Sequence, residues 1–288
     1  MAYSLDDMVK MVDRLPTINS VASKIVNICT DPHTPISQLG KLISLDQSLY
    51  VQILKIANSS YFNFPRKILS VDKAIVLLGY NLLRDLTVSI AIYSFYKGLE
   101  SKKIFNFQHL WKHAVTTGFI GQALAEKYEP ENKELLYIAG LFHDLGKLVE
   151  SRVIRRDFYL LVEQSQKENK SLHELEDKFL GFNHGDVGAM LLHKWNLPQI
   201  LVEIVKHHHF PDKHVGNDQS YGLVRLIYLS NLFAHFIQKN LNGFEDMHKL
   251  DSNFSKYCSF TESEFFENLG YIKHFLSKHK VLDEIYKL

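Results

Sequence analysis

Five histidines and one aspartate carry the chemistry open to this chain: His113, His143 beside Asp144, His184, and the pair His207-His208. Imidazole and carboxylate together suit iron, manganese, zinc or similar divalent ions. The carboxylate helps retain a cation, and an open coordination position gives an activated water. Fifteen histidines in 288 residues is a high count, so their placement carries information.

The run from Glu134 to Glu150 reads as one helix. Leu135, Leu136, Ile138, Ala139, Leu141, Phe142, Leu145 and Leu148 surround it, the pattern of a core helix. Its non-apolar positions, Gly140, His143, Asp144 and Lys147, form one narrow stripe. A buried polar stripe costs free energy unless its members find partners. Two arrangements satisfy it: a metal ion bound by His143 and Asp144 with Lys147 one turn on, or a His–Asp–Lys hydrogen-bond network.

His113 falls on the stripe of Leu110, Thr117, Ile120 and Leu124 and so points inward, as a ligand or as a hydrogen-bonded core residue. His109 competes with it one turn earlier. His208 follows Ile200, Leu201, Ile204 and Val205 on their apolar face. His207 lies four residues after Glu203 and about 100° around the helix from His208. His209 reads as outward-facing or part of a loop. His184 opens a helix, where capping alone would account for it, and His193 reads as partly exposed. Helical bundles build metal sites from inward side chains on several helices.

The elements that must position these residues are helices throughout, since no convincing period-2 run or hairpin turn occurs. The fold class is all-α, a multi-helical bundle. Ser20, Ser70, Asn81 and Asn183 suit helix N-caps, with Asp186 in the first turn after Asn183. Asp31-Pro32 stops the first of these helices and Gly79 follows the second as a C-terminal cap. Asn196 and Pro198 open the helix that ends in the three histidines. Pro211 lies just past its end, and 210–220 reads as a loop. A long apolar helix is expected from Tyr221 to Gln238, followed by two short ones. The division is an N-terminal helical bundle over 1–100, a His/Asp-bearing core over 101–240 and an extension over 241–288. Segment 98–106 marks the first break; one continuous helical body is the simpler alternative.

Composition excludes several classes. With 33 basic and 32 acidic residues the net charge is +1, which gives no pull toward nucleic acid or anionic membrane. Cys29 and Cys258 are too few for a disulfide framework or a cysteine-based zinc site, as befits a cytoplasmic protein. No apolar run approaches a membrane span, and the N-terminus has no signal-peptide pattern. No phosphate-cradling GxxxxGK[ST] loop or GxSxG elbow occurs. Ser59-Ser60 reads as a helix-end turn.

The run Phe142-His143-Asp144-Leu145-Gly146-Lys147 resembles the motif of the HD superfamily of metal-dependent phosphohydrolases. The order His, His-Asp, His, His-His is similar to its binuclear HD-GYP branch, which cleaves cyclic di-GMP. That resemblance implies His113 as first ligand and Asp144 as a bridge between two metals. It implies His184, His207 and His208 around the second metal, and Lys147 facing a substrate phosphate. The segments LPTINSVASKIVNI, LGKLISLDQSLYVQILKIANSSYF and FPRKILSVDKAIVLLGYNLLRDL resemble an HDOD domain, an all-helical HD-related module of bacterial signalling proteins. Leu45-Asp46, Ala57-Asn58-Ser59 and the helix end from Ile75 to Gly79 carry this match, and the resemblance covers roughly residues 14–240. Two departures stand out. Asn231 occupies the place of the last aspartate ligand. His207-His208-His209-Phe210-Pro211 also lacks the Gly-Tyr-Pro loop of the HD-GYP branch.

The expected function is a non-catalytic signal-transduction module that binds a partner protein in trans or a small ligand. Its HD site would be partial, holding one or two divalent ions (Fe, Mn, Zn or Mg) at His113, His143, Asp144, His184, His207, His208 and Asn231. The alternative is a divalent-metal-dependent phosphohydrolase or phosphodiesterase acting on a phosphoester or cyclic nucleotide, with Asp144 and Lys147 as catalytic groups. A cofactor, metal or haem-like, held for structure or sensing without turnover is the intermediate case.

Overall fold

Several helices begin where a side chain can accept from otherwise free N–H groups. The computed structural model describes residues 7–8, 20–30, 35–96, 104–214, 218–279 and 281–287, with no strand among them. The first group is α1 (Ser20–Cys29), α2 (Ile36–Leu45), α3 (Gln47–Ala57), α4 (Val71–Leu78) and α5 (Tyr80–Tyr93). Asp46 accepts from Leu49 N at 3.0 Å and Ser70 Oγ from Lys73 N at 3.2 Å. Asn58 Oδ1 accepts from Ile68 N while its amide donates to Ile68 O, both at 2.8 Å. That pair fastens the turn containing Ser59-Ser60. Gly79 joins α4 to α5 at φ 80°, a left-handed conformation that favours glycine. Because α5 already starts at Tyr80, Asn81 lies within the helix and is not its cap; its Oδ1 accepts from Arg84 at 3.3 Å. The expected stop at Asp31-Pro32 and most of the 98–106 break lie outside the described residues.

The middle of the chain is α6 (Phe107–Tyr128), α7 (Lys133–Phe142), α8 (Leu145–Val153), α9 (Arg155–Glu168), α10 (Leu172–Leu180), α11 (His184–Lys194), α12 (Gln199–His207) and α13 (Asp218–Gln238). The single helix expected from Glu134 to Glu150 is two helices. Asp144, at φ −100° and ψ 8°, leaves helical geometry, so α7 ends at Phe142 and α8 restarts at Leu145. The polar stripe is therefore a corner, and the corner places the His143-Asp144 pair between elements.

Two close approaches hold that corner. A Cβ on Gly140 would lie 2.4 Å from Gly118 Cα, so α6 and α7 touch backbone to backbone. A Cβ on Gly146 would lie 1.9 Å from His184 O, so the start of α8 abuts the start of α11. Real Cβ atoms do not tolerate either distance; glycine at these positions sets how near His113, Asp144 and His184 come.

Helix α11 starts with a full capping box, Asn183 Oδ1 accepting from Gly185 N and Asp186 N and Asp186 returning to Asn183 N. Asn196 does not open α12; it closes the preceding turn at φ 54°, and Pro198 is the residue before α12. Helix α13 starts at Asp218, three residues earlier than expected. Beyond it lie α14 (Glu245–Leu250), α15 (Phe254–Tyr257), α16 (Glu262–Lys278) and α17 (Val281–Tyr286). The extension is thus more than two short helices: α16 has 17 residues. It braces α6, with Trp111 Nε1 donating to Ile285 O at 3.0 Å and Thr116 Oγ1 meeting Tyr286 OH at 2.7 Å. Buried apolar side chains from Met8 to Ile285 form one continuous cluster. No helix among the described residues is long and apolar enough to cross a membrane.

One buried ion network ties the N-terminal helices to α7. Arg84 donates to Asp85 Oδ1 at 2.8 and 2.9 Å and to Glu134 Oε1 at 2.9 Å. Removing one partner of such a pair leaves a charge stranded in the interior. Arg84→Ala is expected to cost about 3–5 kcal/mol of stability, measured as a lower urea midpoint with unchanged helical circular dichroism in the folded baseline.

Candidate metal centre

Asp144 is 1% exposed and lies at the focus of four imidazoles and one ammonium. Its Oδ2 faces Lys147 Nζ at 2.7 Å, His143 Nε2 at 3.4 Å and His113 Nε2 at 4.0 Å. Its Oδ1 faces His184 Nε2 at 3.2 Å and His208 Nε2 at 3.9 Å. His209 joins this second group, its Nε2 2.9 Å from His184 Nε2. The donor atoms of Asp144, His184, His208 and His209 all lie within 4.8 Å of one another, as do those of His113, His143 and Asp144.

The rings are held from behind. A neutral imidazole has one N–H, and the hydrogen bond it makes decides which nitrogen keeps a lone pair. His143 Nδ1 donates to Gly140 O at 2.7 Å and His208 Nδ1 to Val205 O at 2.6 Å. His184 Nδ1 donates to Glu176 Oε2 at 2.6 Å. All three therefore aim Nε2 at Asp144. His143 Nε2, His208 Nε2 and Asp144 Oδ1 are buried without a hydrogen-bond partner. Unpaired buried acceptors are costly, and a cation is what a convergent set of them satisfies. The 2.9 Å between His184 and His209 nitrogens is also close to the roughly 3 Å expected of two imidazoles at right angles on one ion with bonds of about 2.1 Å. The donor set fits a divalent metal ion. The carboxylate behind His184 is the usual support for a metal-binding imidazole.

Placement differs from expectation at the three-histidine run. His207 is outside the cluster; its Nε2 faces Glu203 Oε2 at 3.4 Å. The inward pair is His208-His209. Helix α12 ends at His207, and the following turn, with His208 at φ −61° and ψ −17°, brings His209 inward rather than out. Asn231 reaches the site through His113, its Oδ1 2.9 Å from His113 Nε2. His173 and His235 were missed: they stack on His209 (3.8 Å between centroids) and His113 (4.2 Å). The spacing held a signal for both. His235 is four residues after Asn231, and His173 three before Glu176, each on one helix face. His109 and His193 stay out of the centre.

The site opens into a cavity of about 260 Å³ whose wall includes Lys147, Lys170, Lys239 and Lys249 together with His173, His209 and His235. Asp251 is the carboxylate among them.

Burial decides most of the protonation states. It pushes His113 down to about 4, helped by His143, and His173 to about 3, helped by His184. It holds His208, His209 and His235 well below the usual imidazole range. His207 is lowered by burial and by Lys206. Burial raises the Asp144 carboxyl, but His143 and Lys147 outweigh it and leave it well below its ordinary value. His184 goes the other way: burial lowers it, but Glu176 and Asp144 together outweigh burial, and its pKa is raised. Burial and the Glu176 charge push Glu150 well above the carboxylate range.

Between their depressed values and the roughly 6.5 of a free imidazole, these six histidines bind fewer protons folded than unfolded, so stability rises with pH there. Raised His184, Glu150 and Asp85 act in the opposite sense, and they are outnumbered. In chelator-treated protein the urea midpoint is expected to fall steadily from pH 7 to pH 5. A midpoint that holds or rises toward pH 5 would contradict the neutral histidine cluster.

Comparison with known proteins follows the same geometry. The fold is similar to an HDOD domain protein of unknown function from Geobacter sulfurreducens, with TM-score 0.74 and 20% identity over 99% of this chain and 100% of that one. It is similar to a proposed phosphohydrolase from Shewanella amazonensis SB2B, with TM-score 0.71 and 18% identity over 97% of each chain. It is also similar to a proposed signal transduction protein from Marinobacter aquaeolei VT8, with TM-score 0.67 and 18% identity over 98% of this chain and 62% of that one. An uncharacterised protein of Treponema pallidum (strain Nichols) is 27% identical over 205 residues, 69% of this chain; the match spans only 39% of that relative. The model of the HDOD domain matches residues 15–211, and the chain belongs to the HDOD family.

Proposed function

We propose that this chain is a signalling module that holds one divalent transition-metal ion and binds a phosphorylated small molecule beside it, relaying occupancy to a partner protein in trans. The observation that carries the reading is the set of buried, partnerless lone pairs of His143 Nε2, His208 Nε2 and Asp144 Oδ1, with His184 and His209 alongside. Asp144, His184, His208 and His209 would hold the ion, with His143 at the edge. Bound there, it supplies Lewis-acid polarisation to a ligand oxygen.

The Oδ2 side of Asp144 favours one ion over two. Lys147 already neutralises that oxygen at 2.7 Å, and His113 Nε2 is engaged by Asn231 at 2.9 Å. Phosphate is the ligand chemistry we assign to the cavity because Lys239 lines it beside Lys147, Lys170 and Lys249, which also pair with Asp144, Glu168 and Asp246 at 2.7 Å. Lys147 lies in that wall and beside Asp144, so it can meet a phosphoryl oxygen next to the ion. The same placement favours a second reading, metal-dependent hydrolysis of a phosphoester, in which Lys147 would stabilise charge developing on the phosphoryl group.

Elemental analysis of tag-free protein is expected to show that Asp144→Asn and His208→Ala each remove one equivalent of transition metal relative to wild type. Metal uptake should also weaken as pH falls, because His184 must surrender the Nε2 proton. Titration with a panel of nucleotides by calorimetry should give binding that Lys147→Met weakens by roughly tenfold or more. Equal metal content in wild type and both variants would sink the proposed centre. Steady phosphate or nucleotide release by the loaded protein, lost in Lys147→Met, would move the assignment to the hydrolase.

A further inference from the structure

A second cluster lies at the end of α12. Glu203 and His207 stand one turn apart on the same helix face, and His214 reaches them from beyond the turn at Pro211–Lys213. Glu203 Oε2 is 3.4 Å from His207 Nε2 and 3.6 Å from His214 Nδ1. Both separations are too long for good hydrogen bonds. They match the roughly 3.4 Å between ligand atoms set tetrahedrally around an ion with bonds of about 2.1 Å. All three donor atoms lie within 4.8 Å of one another.

The supports are specific. His214 is 2% exposed at its side chain, and its Nδ1 is buried with no hydrogen-bond partner. Its Nε2 meets Ser220 Oγ at 2.7 Å, which orients the ring with Nδ1 toward Glu203. Gln199 donates to Glu203 Oε1 at 2.7 Å and leaves Oε2 to the two imidazoles. A plain ion pair would draw one imidazole into hydrogen-bond contact; here two rings converge on one oxygen and neither closes on it.

We propose that Glu203, His207 and His214 bind a divalent transition-metal ion of zinc-like ligand preference, separate from the Asp144 centre. Two imidazoles and one carboxylate leave a coordination position for water. The site joins both ends of the segment 207–214, and that segment carries His208 and His209. Its filling clamps the turn that delivers two imidazoles to the Asp144 centre.

Cobalt(II) titration of the tag-free full chain separates the two sites. In Asp144→Asn protein one equivalent of cobalt should still bind, and adding Glu203→Gln or His214→Ala should weaken it by roughly 100-fold. Glu203 is partly exposed, so its variant tests the site with little risk to folding, and a matching thermal midpoint confirms the fold. Cobalt binding in Asp144→Asn that persists unchanged with Glu203→Gln and with His214→Ala overturns the proposal. So does Asp144→Asn protein that binds no cobalt at all. If Asp144→Asn leaves wild-type binding intact while Glu203→Gln removes it, this site stands and the Asp144 centre falls.

Discussion

The structure is organised around one buried carboxylate. Asp144 is ionised in the interior, and an interior charge persists only if cations or donors surround it closely. Lys147 provides the one ammonium within 2.7 Å, covering a single oxygen. The other oxygen faces His208, which burial holds well below the usual imidazole range, and His184, which Glu176 and Asp144 raise. A cation held beside Oδ1 would meet the atoms left without a partner there. The same requirement explains the break between α7 and α8. A continuous helix would spread His143, Asp144 and Lys147 along one face, whereas the corner lets Asp144 look two ways, toward α6 on one side and α11 and α12 on the other.

Bringing five elements to one carboxylate requires backbones closer than ordinary side chains permit. Gly140 against Gly118 and Gly146 against the His184 carbonyl meet that requirement. The rest of the chain holds these contacts under load. Arg84 and Glu134 join α5 to α7, while Ile285 and Tyr286 fasten α17 to α6. Tyr228 OH donates to Asp251 at 2.9 Å and keeps α14's end against α13. The site is therefore a property of the whole helical body.

Helices, the caps at Ser70, Gly79 and Asn183, and the inward faces of His113, His143 and His184 were legible in the sequence, because periodicity and capping chemistry are local. The boundaries that depend on tertiary contact were not. The apolar run 135–148 reads as continuous; the break at Asp144 coincides with the close contact of Gly146 on the start of α11. In His207-His208-His209 three adjacent imidazoles differ by about 100° each, and helical phase cannot say which two face inward once the helix ends among them. The turn after His207 settles it in favour of His208 and His209. His173 and His235 sit on elements whose approach to the site arises only from the fold, although their spacing to Glu176 and Asn231 hinted at it.

Asn231 shows how one atom changes the chemistry of a whole side. An aspartate there would place a carboxylate against His113, whereas the amide adds no charge. His113, neutral because burial pushes it down to about 4, has one N–H and one lone pair, and it lies between Asn231 at 2.9 Å and Gln238 at 3.1 Å. A neutral ring can donate to only one of these amides, so the other must turn its NH2 toward the remaining nitrogen. Both ring nitrogens are then satisfied within the protein. With Lys147 on Oδ2, the α6 side of Asp144 keeps one unmet atom, His143 Nε2, while His208 Nε2 and Asp144 Oδ1 are both unmet on the α11–α12 side. With an amide at 231, which adds no charge there, the larger share of unmet atoms lies on the Oδ1 face of Asp144. That is why a single ion, ligated by the late histidines of the chain, is the arrangement we assign.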